Sequence, residues 1–181
     1  MRTQLVSGLL MVLVVLHLGR LAGQVIQEFQ IDPALSTVVV HVGRAGLFAF
    51  AGHDHEVAVP GVRGSIVLDP SDLALSRVTM QFEATSMRVT GRGEPQEDVP
   101  DVQRTMLSDR VLDVQRYATI AFRSDRISIQ ERSSDGFRLR VEGRVTLHGM
   151  SRPASIPVAV RLSGDRMTAT GTATIRPKGS A

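Results

Sequence analysis

The strongest constraint in this chain is a period of two. Phe137, Leu139, Val141, Gly143, Val145 and Leu147 alternate with Arg138, Arg140, Glu142, Arg144, Thr146 and His148. Successive side chains of a strand point to opposite faces, so this run describes a strand with one face buried and the other in water. Val78, Met80, Phe82 and Ala84 repeat the pattern against Arg77, Thr79, Gln81 and Glu83. Ile156, Val158, Val160 and Leu162 repeat it with Arg161 on the opposite face. Shorter strands are expected at 37–42, 65–68, 119–124, 126–130 and 167–175. Turn formers separate them: Asp32-Pro33, Asp69-Pro70, Asp135-Gly136 and Ser163-Gly164-Asp165. Many short strands with one apolar face each must close into a barrel or pack as a sandwich. Closure also removes edges that would otherwise pair between molecules. The expected fold class is therefore all-β and antiparallel.

One stretch departs from the period. Val102, Met106 and Leu112 are spaced roughly as i, i+4 and i+10, and Pro100 suits a helix start. This predicts one short helix over 101–112, packed on the barrel or over its mouth. The preceding residues 90–100 are rich in Gly, Pro and acids and read as a loop.

Residues 1–23 read as a secretory signal. Arg2 supplies the positive start, and Leu5 to Leu18 is a run of 14 residues interrupted only by Ser7, Gly8 and His17. A membrane span needs about 20 residues, whereas a signal core is shorter. Small residues Ala22 and Gly23 follow, and Gln24 stands where a lipoprotein would carry its acylated Cys. The alternative is an uncleaved N-terminal anchor. In both cases the domain at 24–181 lies beyond a membrane, and a periplasmic or secreted location is expected.

A length of 181 residues suits one domain after that segment. The chain has no Cys, which excludes a disulfide framework, a thiolate metal site and a Cys nucleophile. With Arg2 and Arg20 set aside, the 21 basic residues become 19, against 18 acidic ones. They are scattered, with one Tyr and no Trp for stacking on bases, so no nucleic-acid partner is expected.

Four histidines follow the signal: His41, His53, His55 and His148. In Gly52-His53-Asp54-His55-Glu56, a strand would put His53 and His55 on one face, where two imidazoles can share a metal ion. His41 or Glu56 would then be the third ligand. The alternative is that these histidines serve turns or backbone carbonyls near a barrel rim. Catalysis finds no support. There is no Gly-x-Ser-x-Gly elbow. Ser36, Ser65, Ser86 and Ser124 sit in strand-like surroundings, and Asp98 and Asp101 stand where a helix start accounts for them. Gly91-Arg92-Gly93 lacks a strand–helix context. A non-enzymatic protein with no cofactor is expected.

The apolar faces remain. The alternation points Val78, Met80, Phe82, Ile120, Phe122, Leu139 and Val141 inward, with Phe48 and Phe50 near a mouth. These residues either line a ligand cavity or fill a dry core, and periodicity does not separate the two.

Longer motifs add a resemblance. They begin with Phe29-Gln30-Ile31-Asp32-Pro33, His41-Val42-Gly43 and Gly52-His53-Asp54-His55. Gly64-Ser65-Ile66-Val67-Leu68, Val102-Gln103-Arg104-Thr105-Met106 and Ile120-Ala121-Phe122-Arg123-Ser124 follow. The most specific runs from Val141 through Leu147-His148-Gly149 to Arg152-Pro153. In this order they resemble the YceI-like family of exported, lipocalin-like barrels, over about residues 28–175. The resemblance implies an apolar tunnel that binds a polyisoprenoid or similar amphiphilic lipid, with no catalytic residues. It also implies a further C-terminal strand, which the ending Ile175-Arg176-Pro177-Lys178-Gly179-Ser180-Ala181 does not provide. The expected barrel is either closed or open at this edge, and an open edge would be covered by a second copy of the chain, as a homodimer, or left to aggregate.

Overall fold

The computed structural model describes residues 6–16, 26–43, 54–69, 71–134 and 136–175; for 6–16 it describes the backbone course alone. The strands are β1 (Val6–Leu16), β2 (Gln27–Ile31), β3 (Thr37–Val42), β4 (His55–Val59), β5 (Arg63–Leu68) and β6 (Arg77–Glu83). After β7 (Arg88–Val89) come the helix α1 (Val99–Leu107) and four strands. These are β8 (Thr119–Ser133), β9 (Gly136–Leu147), β10 (Met150–Ser163) and β11 (Arg166–Ile175).

The sheet runs β11-β10-β9-β8-β6-β5-β2-β1-β3-β4-β7, and a β11–β1 ladder joins its ends. Every pairing is antiparallel. β2 and β3 both pair with β1, opposite Val14–Leu16 and Ser7–Met11 respectively. They are two halves of one path bent at Asp32–Ser36, where Asp32 accepts the N–H of Ala34. The β11 edge, whose closure the sequence left open, is covered: β1 pairs with β11 from Val6↔Ile175 to Val15↔Arg166. The closing strand comes from within the segment read as a signal.

The two strands expected at 119–124 and 126–130 are one strand, β8. Its register shifts at Ser124/Arg126 and Ile129/Glu131. A bulge adds an unpaired residue and resets which side chains point inward, so the alternation breaks without a turn. Ser124 fills the first bulge by accepting the N–H of Val78 at 2.8 Å.

The helix is also corrected. It ends at Leu107, not 112, because Ser108 stops it. The Ser108 N–H donates to the carbonyls of Arg104 and Thr105, and its hydroxyl donates to Thr105. Turns follow, with Asp113 at φ 47°. Val111, Leu112 and Val114 are nonetheless buried, which is why their spacing mimicked further helix.

The interior has two halves. Near the helix, Val102 and Met106 pack with Val57, Val59, Ala84, Val89 and Ile120. Fully burying a side chain such as Val57 or Val59 contributes about 1.5–3 kcal/mol. The other half, toward the β8–β9 and β10–β11 hairpins, contains Phe29, Ile31, Phe122, Leu139, Val141 and Met167.

Between β5 and β6 the chain makes a single 3-10 turn, Leu73–Leu75, anchored by buried Asp69. One carboxylate oxygen of Asp69 accepts the hydroxyl and N–H of Ser71 and the N–H of Asp72. The Ser71 hydroxyl, then the Asp72 N–H, hold this carboxyl below its ordinary value, against the opposing effect of burial. A lowered folded-state value stabilises the fold above the ordinary carboxylate range, and this contribution is lost as pH falls through it. Asp69→Asn is therefore expected to lower Tm at pH 7, and the gap to the parent should close as pH drops below about 4. Thermal melts across pH 3–7 check this.

Candidate ligand-binding lumen

The hairpin half of the barrel contains an apolar cavity. Its wall comes from β5 (Ile66, Leu68), β6 (Val78, Met80), β8 (Ile127) and β9 (Phe137, Leu139, Val141), completed by β10 (Ile156, Val158, Val160) and β11 (Met167, Ala169). Leu73 and Ser76 of the β5–β6 connection also line it, and Ser76 carries the one hydroxyl on the wall among the described residues. The room open to the centre of a water molecule is about 70 Å³, within about 780 Å³ of space between atoms that includes open solvent. A short run of methylenes or one isoprene unit fits as the walls stand. A longer chain needs the flexible side chains of Met80 and Met167 to turn, and unbranched thioethers do so readily.

Of the residues expected to face inward, Val78, Met80, Leu139 and Val141 line this cavity. Phe82, Ile120 and Phe122 do not: the register carries Ile120, and Phe82 opposite it, toward the helix, while Phe122 packs in the hairpin-side core outside the cavity wall. Phe82 lies opposite Ile120, and Phe122 lies opposite Met80 and Val145. Ile120 belongs to the core under α1, and Phe82 packs against both halves. The Phe122 ring lies where a Gly143 side chain would begin. Phe48, Phe50 and His53 lie outside the described residues. The rest of the wall was not among the expected lining: Ile66, Leu68, Ile127, Phe137, Ile156, Val158, Val160, Met167 and Ala169 on the strands, with Gly171 and the connection residues Leu73 and Ser76. The same alternation was present at each, but the β8 bulges and barrel closure decide which strands face the open space.

His55 opens β4 on its inward face, with Val57 and Val59. The side chains of His55 and Glu94 are 1% and 0% exposed, and His55 Nδ1 lies 2.7 Å from Glu94 Oε2. The other carboxylate oxygen of Glu94 is buried with no hydrogen-bond partner among the described residues. Neither of the two residues expected as a third ligand joins His55. His41 is exposed on β3, and Glu56 points outward to the Thr90 hydroxyl and the Arg92 guanidinium. The reason is the pleat: Glu56 follows His55 directly, so the two take opposite faces. Among the described residues no three His, Asp or Glu side chains converge as a metal site. Glu94 had no local signal, since 39 residues separate it from His55. Asp98 caps α1 without a side-chain bond, and Asp101 pairs with Arg104 at 2.9 Å on the surface.

The model of the YceI-like domain matches residues 29–178. The chain belongs to the YceI-like family. The YceI-like match begins at Phe29, which is buried in the hairpin-side core, and takes in most of β2 and every later element; β1 precedes it. Among solved structures, Burkholderia cenocepacia BcnA is similar at 15% identity over 66% of this chain and 87% of that one, with a TM-score of 0.49. None of the curated proteins compared matches the chain.

Proposed function

We propose that this YceI-like protein is an exported, non-enzymatic carrier that holds an isoprenoid or another amphiphilic lipid in its lumen. The carrying observation is the cavity wall, apolar along six strands and interrupted, among the described residues, by a single hydroxyl. Ligand sites are concave and mostly apolar, with few polar groups to fix orientation. A wall of this composition suits a hydrocarbon chain and offers nothing to activate a reaction. Export rests on the N-terminal apolar run. If residues 1–23 are removed on export, β1 goes with them, and the freed edge of β11 can pair with a second copy.

Organic extraction and native mass spectrometry of the purified protein are expected to recover a prenyl or acyl lipid. Val158→Trp, which projects an indole into the cavity, is expected to reduce recovered lipid by about tenfold, the equivalent of about 1.4 kcal/mol of binding. A protein that is consistently empty, and takes up no prenol or fatty acid on addition, overturns the reading.

A further inference from the structure

The outer wall formed by β8, β9 and β10 is unusual in charge. Arg123, Arg126, Arg138, Arg140, Arg144 and Arg161 are exposed on these strands, on the face opposite the lumen. Among the described residues three acids, Asp125, Glu131 and Glu142, share that face. The wall therefore carries three more positive than negative charges, while the whole chain beyond residue 23 carries only one more. The positive charge is concentrated here and the remainder of the molecule is slightly acidic.

Folding accounts for this placement only in part: Arg126 lies opposite Glu142 in the β8–β9 ladder, but some other arginines of the wall have no such acid across from them. Arg123 lies directly opposite Arg144 in the β8–β9 ladder, and like charges in that position destabilise a sheet. The acids offset it only in part: Glu131 holds Arg138 at 3.1 Å, and Asp125 lies 3.6 Å from Arg144. Arg140 donates to the Ser155 hydroxyl on β10, not to an acid. The neighbouring outward residues of β10, Ser155, Pro157 and Ala159, carry no charge. The cations are also of one kind, since Lys178 is the single lysine of the chain. A guanidinium can grip a phosphate through two parallel N–H bonds, which an ammonium cannot.

We infer that this arginine wall docks the barrel on a membrane surface bearing anionic phospholipid headgroups. A strand wall with a surplus of guanidinium charge complements a surface of phosphates. Basic side chains within a Debye length of such a surface each add to the attraction. This goes beyond the lumen reading: docking is measured on the surface and the cargo in the interior.

The test is co-sedimentation of the full protein with vesicles of phosphatidylcholine alone, or of phosphatidylcholine with phosphatidylglycerol. Binding is expected only to the anionic vesicles, and it should weaken as salt rises. The variant Arg123→Glu/Arg140→Glu/Arg144→Glu is expected to lose at least about tenfold in vesicle partition, with its melting temperature and any extracted lipid unchanged. A control with the same charge change elsewhere, Arg92→Glu/Arg104→Glu/Arg116→Glu, should retain most of the binding. No binding to anionic vesicles overturns the inference, as does equal binding to neutral ones or an equal loss in the control. Equally tight, wall-dependent retention on DNA also overturns it, since the wall would then be a general polyanion surface. Loss of vesicle binding with lipid cargo intact separates this result from any failure of the lumen reading.

Discussion

Gly143→Ala should lower stability by about 3 kcal/mol or more, a large share of what holds a small domain together. A Cβ at this position would lie 2.2 Å from the Arg123 carbonyl oxygen, 2.8 Å from the Phe122 ring and 2.8 Å from the Ser124 Cα. The cause is local. Gly143 pairs with Ser124 next to the β8 bulge, where the ladder shifts and the two backbones come close. Urea unfolding of the parent and the variant measures the loss. Adding Phe122→Leu removes the ring contact but leaves the carbonyl in place, so the double variant should remain as unstable as Gly143→Ala. Recovery in the double variant would show that the ring, not the backbone, is the obstacle.

Glu94→Ala should be nearly as damaging, at about 3 kcal/mol. It removes a buried, hydrogen-bonding partner of His55, whose side chain is only 1% exposed. Removing one member of a buried, hydrogen-bonded pair leaves the other desolvated without compensation, whereas replacing both with apolar groups often restores stability. His55→Leu/Glu94→Leu is therefore expected to recover at least half of the loss in the same urea experiment. Such a recovery would identify the pair as a pin that holds the loop before α1 against β4. A double variant as unstable as the single one would show that Glu94 acts by some other contact.

The long strands were legible because each obeys a local rule. From Phe137 to Leu147, burial alternates along most of β9 as the side-chain period requires. The rule failed where the backbone adds a residue, as at the β8 bulges, because periodicity assumes an unbroken pleat. It failed again after Leu107, where buried turn residues reproduced helical spacing without helical hydrogen bonds. The lumen was half legible. Alternation points Val78, Met80, Leu139 and Val141 inward, but it equally points Phe82 and Phe122 inward. Their height along the barrel, not their face, removes them from the cavity wall.

By itself, then, the sequence determined the all-β class, the single short helix, the inward face of the main strands and the family, because periodicity and motif order are properties of neighbouring residues. Only the tertiary structure decided which inward residues enclose free space, that Glu94 rather than His41 or Glu56 meets His55, and that arginines from three strands share one wall. These depend on strand register and barrel closure, which juxtapose residues tens of positions apart. No local pattern carries that information, because each pairing is set by the packing of the whole sheet.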